Sequence, residues 1–181
     1  MQILNQIRAL IMSLIAPLLP ALDDRKIMAF LRLIRYAEGT DVKVNPYAVV
    51  YAYDFTITDF SDHPYYSSHQ WKGKRLPDSM CTNAGQKPGC VSTAAGAYQF
   101  IRPTWVTIKN RLSLPDFSPR SQDKAAIYLL QQCGSYSDIL AGNIESAIKK
   151  AAKTWASFPG NNFGQGPKSM PTMLAKYKQF L

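Results

Sequence analysis

Glutamate is scarce in this chain of 181 residues, in which only Glu38 and Glu145 occur. Histidine is as rare, since His63 and His69 are the only two. No paired cysteine spacing accompanies these histidines, so we expect neither a bound metal nor a cofactor. Internal repeats and low-complexity tracts are also missing. With 46% hydrophobic and 12% aromatic residues, the composition excludes a disordered chain.

A long hydrophobic run is lacking as well. Residues 9–22, ALIMSLIAPLLPAL, are too few and too interrupted by proline for a membrane span, which takes about 20 residues. They are typical of a weak export signal, but no clear cleavage motif follows. A transient inner-membrane contact and a segment packed on the domain are the alternatives. We therefore expect residues 1–22 to form an apolar N-terminal extension and residues 23–181 a single domain.

Negative charge is in short supply, because 12 Asp and Glu stand against 21 Lys and Arg, a formal net charge of +9. Such an excess suits a polyanionic partner, namely nucleic acid, an anionic membrane face or the bacterial cell wall. The basic residues are scattered and form no long stripe, which argues against nucleic acid. Solubility alone is the other explanation of the charge.

Cysteine is limited to Cys81, Cys90 and Cys133. Cys81 and Cys90 flank the turn-rich loop TNAGQKPG, so we expect a disulfide between them if the chain reaches an oxidising compartment. Three reduced thiols are the alternative.

Apolar periodicity and capping residues predict a mainly helical α+β chain. Residues 47–59 are rich in Tyr, Val, Phe, Ile and Thr, which favours a small strand pair there. Residues 60–89 are predicted to be loop. The predicted helices lie near residues 25–38, 103–112, 119–133, 143–156 and 171–181.

Glu38 has an unusual position in the first predicted helix. The apolar stripe Ile27, Phe30, Leu31 and Ile34 continues at helical spacing to Glu38, which therefore faces the core side. It also falls in the last turn, where the helix dipole disfavours an anion. Both placements raise the pKa of a carboxyl group, as a general acid for a glycosidic bond requires. A buried hydrogen-bonded residue or a frayed helix end would explain the pattern without catalysis.

Glu145 differs, because it precedes Lys149 at the i,i+4 spacing of a surface ion pair. We interpret it as a solvated surface residue.

Several blocks of sequence occur in the order and with the spacing of a known family. They are EGTD (38–41), DFSDHP (59–64), STAAGAYQ (92–99), LPDFSPRSQD (114–123), WASFPG (155–160) and FGQ (163–165). Over residues 25–180 the chain resembles the lambda phage endolysin family of small lytic transglycosylases. The GAYQ segment is also similar to the Gly-x-x-Gln signature of larger lytic transglycosylases. The resemblance implies a lysozyme-like fold with one small antiparallel β-element after the helix that carries the catalytic glutamate.

The resemblance also implies a site and a reaction. Glu38 takes the place of the catalytic glutamate, which protonates the oxygen between N-acetylmuramic acid and N-acetylglucosamine. It then acts as base toward the muramic acid's own 6-hydroxyl, closing a 1,6-anhydro ring. Ser92, Tyr98, Gln99 and Phe163 would contact the substrate, with Phe163 standing where the family more often has Tyr. For Tyr98, core packing is the alternative.

The family further implies a monomer that is made in the host cytoplasm and acts in the periplasm on peptidoglycan glycan strands. Two other functions are consistent with the sequence. One is a muramidase that uses water, with Asp59 or Asp62 as second carboxylate. The other is a cell-wall binding module without catalysis.

Overall fold

The computed structural model describes Gln6 and residues 24–65, 70–160 and 168–181 of the chain. Within these ranges seven helices and one two-stranded antiparallel sheet are present. In chain order the elements are α1 (Arg25–Glu38), β1 (Lys74–Arg75), α2 (Asp78–Asn83), β2 (Val91–Ser92), α3 (Arg102–Leu112), α4 (Pro119–Gln132), α5 (Ser135–Ala141), α6 (Ile144–Ala151) and α7 (Met170–Phe180).

Helix α1 runs through the centre of the fold, with buried residues along most of its length. Its start is fixed by Asp24, whose carboxylate accepts hydrogen bonds from the backbone amides of Lys26 and Ile27. It ends at Gly39, whose φ of 74° is the left-handed conformation of a helix C-cap. Helices α4, α5 and α7 pack around α1. Helix α1, whose last residue is Glu38, is therefore held among these three helices.

The mainly helical α+β class is confirmed, but the position predicted for the β-element is wrong. The sheet pairs Lys74 with Ser92 and Arg75 with Val91, inside and just after the segment predicted as loop. Residues 46–59 instead contain two 3-10 turns, Pro46–Ala48 and Tyr51–Tyr53, and take part in two isolated antiparallel bridges, Val49 with Thr56 and Val50 with Ala95. Pro46 starts the first turn and the Asn45 side chain caps it, which overrides the strand preference of the residues that follow.

Most predicted helices are confirmed within a few residues. Ser118 caps α4 by accepting a hydrogen bond from the amide of Ser121, and Pro119 is its first residue. Two helices were not predicted. Helix α2 lies inside the segment expected to be loop, and α5 begins directly after Gly134, whose φ of 76° turns the chain sharply between two helices. Helix α6 is shorter than the predicted 143–156, because irregular turns follow Ala151.

Aromatic side chains form much of the core. The rings of Trp105 and Phe117 meet edge to face with centroids 4.6 Å apart. Phe158, from the turns after α6, packs against Phe30 of α1 with a centroid distance of 6.0 Å. This second contact joins the segment around residue 157 to the helix that carries Glu38.

The predicted disulfide is present, since Cys81 and Cys90 are bonded while Cys133 is free. None of the described helices is long and apolar enough to cross a membrane. Apart from Gln6, the predicted N-terminal extension lies outside the described residues, and so does Phe163.

Candidate active site

Two cavities meet at Glu38. The smaller has a volume of about 370 Å³ and is lined by Ala37, Glu38, Tyr51, Ala52, Tyr53, Gln99, Ser157 and Lys168. The larger has a volume of about 520 Å³, and Glu38, Tyr51 and Gln99 line it as well. Because these three residues are shared, the two cavities form one cleft that extends to both sides of the Glu38 carboxylate.

The Glu38 carboxyl group is poised to hold a proton near neutral pH. Burial raises its pKa to about 7, while a hydrogen bond from Ser157 acts in the opposite direction. The Ser157 Oγ donates to Glu38 Oε1 at 2.6 Å. A carboxyl group with this pKa can both give and take a proton at the pH of a cell.

Glu38 has no carboxylate partner in this cleft. Among the described residues that line the two cavities, it is the only Asp or Glu. Asp59 and Asp62, the expected alternatives for a second carboxylate, line neither cavity. Asp62 accepts hydrogen bonds from Trp105 Nε1 at 3.0 Å and from Lys109 Nζ at 2.7 Å, and Asp59 accepts from the Ser61 amide at 2.8 Å.

Both aspartates are held in the charged form. Burial acts to raise the pKa of Asp62, but the hydrogen bonds from Lys109, the His63 amide and Trp105 outweigh it and lower the pKa. Hydrogen bonds from Ser61 lower the pKa of Asp59. Asp59 therefore stabilises its own loop, and Asp62 joins that loop to α3.

Ser157 reaches Glu38 because the turns after α6 are fixed on three sides. Trp155 Nε1 donates to the Tyr98 carbonyl at 3.2 Å, and the Lys168 amide donates to the Ser157 carbonyl at 3.2 Å. Phe158 packs on α1 as described above. Sequence reasoning assigned no role to Ser157, although it lies in the WASFPG block that supports the family resemblance.

The GAYQ segment forms a scaffold beside the cleft. Gly96 has a φ of 77°, and a Cβ there would come within 2.2 Å of Gln122 Oε1. The same Gln122 oxygen accepts a hydrogen bond from the Ala97 amide at 2.8 Å. Thr40, just beyond the end of α1, donates to the Ala97 carbonyl at 2.7 Å. These bonds join the segment to α4 and to the end of α1, and they bring Gln99 to the cleft.

Tyr98 is not a cleft residue, contrary to our expectation of a substrate contact. Its side chain is only 1% exposed, and it lines neither of the cavities at Glu38. Its hydroxyl donates to Asp123 and accepts from Arg35. Tyr47 joins the same buried network by donating to Asp123 at 3.0 Å. The structure therefore supports the alternative for Tyr98, which is core packing.

Of the other predicted contact residues, Gln99 lines both cavities and Ser92 lines the larger one. Cys90 and Gln86, from the disulfide-closed loop, line the larger cavity beside Ser92. The disulfide-closed loop therefore shapes one wall of the cleft. No three His, Cys, Asp or Glu side chains cluster as metal ligands in the described ranges.

Strained backbone is concentrated at the smaller cavity. Four described residues other than glycine have a positive φ, and Ala52, Tyr53 and Gln99 among them line this cavity. Left-handed conformations of such residues are costly and are found preferentially at functional sites. Sequence reasoning missed Tyr53, because only the folded backbone reveals its conformation.

Comparisons with known proteins agree with this geometry. A family model described as Endolysin matches residues 28–181. The chain is 34% identical over 164 residues to the endolysin of Escherichia phage P2, with 85% of this chain and 92% of the relative covered. It is 32% identical over 156 residues to the endolysin of Escherichia phage lambda, with 83% and 88% covered.

The solved structures agree as well. The lysozyme of bacteriophage lambda in complex with a chitohexasaccharide is similar in fold, with a TM-score of 0.71 and 31% sequence identity. That similarity covers 87% of this chain and 94% of the solved one. A second structure of the lambda lysozyme gives a TM-score of 0.68 at 30% identity, with the same coverage of 87% and 94%.

Proposed function

The chain belongs to the endolysin family of lysozyme-like enzymes, and from this premise we propose that it is a lytic transglycosylase. It cleaves the β-1,4 bond between N-acetylmuramic acid and N-acetylglucosamine in peptidoglycan. The products carry 1,6-anhydromuramic acid ends. Glu38 is the catalytic residue, and residues 23–181 are one catalytic domain.

In this proposal Glu38 acts twice. As general acid it gives its proton to the glycosidic oxygen, so that the bond to the muramic acid carbon breaks. As general base the resulting carboxylate takes the proton of the 6-hydroxyl, whose oxygen then closes the anhydro ring. The proton returns to Glu38 and no water is consumed. A pKa of about 7 suits both steps, because neither proton transfer is then strongly uphill near neutral pH.

The observation that carries the proposal is that Glu38 is the single carboxylate among the described residues lining the cleft. Hydrolytic glycosidases place a second carboxylate roughly 5–9.5 Å from the acid, as nucleophile or as base for water. Asp59 instead accepts a hydrogen bond within its own loop, and Asp62 is bonded to Lys109 of α3. With no second carboxylate among the described residues of the cleft, the substrate's own hydroxyl is the nucleophile that this cleft favours.

The cleft is also suited to a long glycan. It extends to both sides of Glu38, and Ser92 and Gln99 supply polar contacts along it. The similarity to a lambda lysozyme solved with a chitohexasaccharide supports a glycan in this position. Phe163 stays a predicted contact. The net charge of +9 favours approach to the anionic cell wall.

We further propose that the enzyme is made in the host cytoplasm and acts as a monomer in the periplasm. Residues 1–22 would serve as an export signal, a membrane contact or a packed extension. Separating these roles requires variants of that segment.

Mass spectrometry of fragments released from purified peptidoglycan tests the proposed reaction. We expect muramic acid ends that lack one water relative to the reducing sugar. Reducing muramic acid ends would identify a hydrolytic muramidase. Sedimentation with the walls but no release of fragments would identify a binding module.

A further inference from the structure

The backbone of Tyr53 has a conformation that favours glycine. Its φ is 58°, and that of the preceding Ala52 is 65°. Glycine adopts this left-handed region without steric penalty, whereas a residue with a Cβ is strained there. A large aromatic side chain at such a strained position indicates that the side chain has a function.

The ring of Tyr53 is fixed at the edge of the cleft. Its hydroxyl donates a hydrogen bond to the Glu38 backbone carbonyl at 3.0 Å. The Lys43 ammonium lies 3.8 Å from the ring centroid, which is a cation–π contact. Gly39 leaves room for the hydroxyl, since a Cβ there would come within 2.8 Å of it. The ring therefore has a defined orientation before any ligand binds.

Tyr53 is nevertheless open to solvent. It is 43% exposed and lines the smaller cavity together with Glu38, Gln99 and Ser157. Lys43 covers one side of the ring and α1 meets its hydroxyl end, so the remaining surface is available to the cavity. An exposed aromatic ring in a polar cleft offers an apolar surface to a ligand with C–H groups.

We propose that Tyr53 is a sugar-binding residue whose ring packs against an N-acetylhexosamine unit of the glycan in the smaller cavity. This inference rests on the proposed function, because it takes the cleft to be the glycan site. The pyranose ring presents axial C–H groups that match an aromatic surface, and the ring is already immobilised, so little conformational entropy is lost on binding. Tyr53 would thus fix the position of the sugar on one side of Glu38.

Calorimetric binding of chitohexaose, measured in Glu38→Gln protein to prevent turnover, tests the proposal. Tyr53→Gly removes the ring and the strain, and Tyr53→Leu keeps the bulk and the strain but loses the aromatic surface. We expect both to weaken binding roughly fivefold or more, the loss typical of an important contact residue. Tyr53→Phe keeps the ring and should bind within about threefold of the parent, a difference of well under 1 kcal/mol.

Ser113→Gly is the matched control, since Ser113 also has a left-handed φ of 52° but lines neither cavity at Glu38. It should leave binding unchanged. Parent-like binding by Tyr53→Leu overturns the proposal, whether or not Tyr53→Gly folds. An equal loss in Tyr53→Phe also overturns it, because the bond to the Glu38 carbonyl would then carry the effect. The calorimetric experiment measures binding without cleavage, so its result does not depend on the reaction type. Whether the enzyme is a transglycosylase is decided separately, by mass spectrometry of the cleavage products.

Discussion

The Glu38 carboxyl group is penalised in its charged form by the same surroundings that suit it to acid catalysis. It ends α1, where the helix dipole disfavours an anion, and it is partly buried beside Ala37 and Ser157. Burial gives it a pKa of about 7, against an ordinary value of 4.5. Activity and stability should therefore respond in opposite directions when this carboxyl group is replaced.

Glu38→Gln should lower lytic activity by about 10²–10⁴, the usual loss when an acid/base residue is removed. Its folded pKa is raised, so the folded state binds the proton more tightly than the unfolded state. The stability from that proton is complete below about pH 4.5 and is lost as pH rises through 7. Glu38→Gln should thus be more stable than the parent by up to about 3 kcal/mol at pH 8, and by about nothing at pH 4.

Thermal unfolding at the two pH values and turbidity loss of purified walls measure these effects. Glu145→Gln is the matched control, because Glu145 is a surface residue paired with Lys149. Glu145→Gln should leave both the thermal stability and the lytic activity close to those of the parent. Retention of more than about a tenth of the activity by Glu38→Gln would contradict its role.

Ser157 should tune the proton affinity of Glu38. Its hydrogen bond to Oε1 favours the carboxylate, so Ser157→Ala should raise the Glu38 pKa further. The pH at which activity falls on the alkaline side of the pH–rate profile should then increase by about one unit. A shift of this size is expected when a hydrogen bond to a charged group is lost.

Ser157→Thr should restore the profile, and Ser137→Ala, at an exposed serine of α5, should leave it in place. The pH–rate profile on purified walls is the measurement. If the rate of Ser157→Ala drops but the alkaline side of its pH–rate profile does not shift, Ser157 has only a structural role.

At the level of elements, helices with caps and an apolar stripe were predictable from the sequence, as α1 and α4 illustrate. Residues 47–59 were not, because left-handed Ala52 and Tyr53 interrupt a segment of strand-forming residues. Helical spacing identified Glu38 as an unusual core-facing carboxylate, and the family resemblance implied its place in the site. Ser157 was not, since it lies 119 positions along the chain from Glu38 and only tertiary contacts, among them the packing of Phe158 on α1, bring it there. For Tyr98, the motif placed the segment at the cleft but could not say which side chains face it.

The disulfide-closed loop should support the larger cavity. Cys81 and Cys90 close a loop with a sequence separation of 9, and Cys90 lines the cavity. Replacing both by serine should destabilise the protein by up to about 3 kcal/mol, the loop-entropy value for a loop of this size. The activity of this double variant on purified walls should fall, while the pH dependence assigned to Glu38 should not change.

Cys133→Ser is the control and should behave like the parent. Thiol counting under denaturing conditions should find one free thiol in protein from an oxidising compartment. Three free thiols, or a bond that involves Cys133, would refute this pairing.

For the whole molecule, the net charge of +9 predicts a salt effect that depends on substrate size. Charges more than roughly 10 Å apart are screened near 0.1 M salt. Cleavage of intact walls should therefore weaken with salt more than cleavage of short soluble glycan fragments. Rates on both substrates across a salt series check this, and equal sensitivity would argue against long-range attraction to the wall.

In the proposed reaction one carboxylate directs the substrate's own hydroxyl, and not water, to the cleaved bond. Digestion of purified peptidoglycan in water labelled with heavy oxygen separates the two nucleophiles. We expect anhydromuramic acid ends that contain no label, because no water enters the reaction. One labelled oxygen at each new muramic acid end would show that water is the nucleophile and would contradict this mechanism.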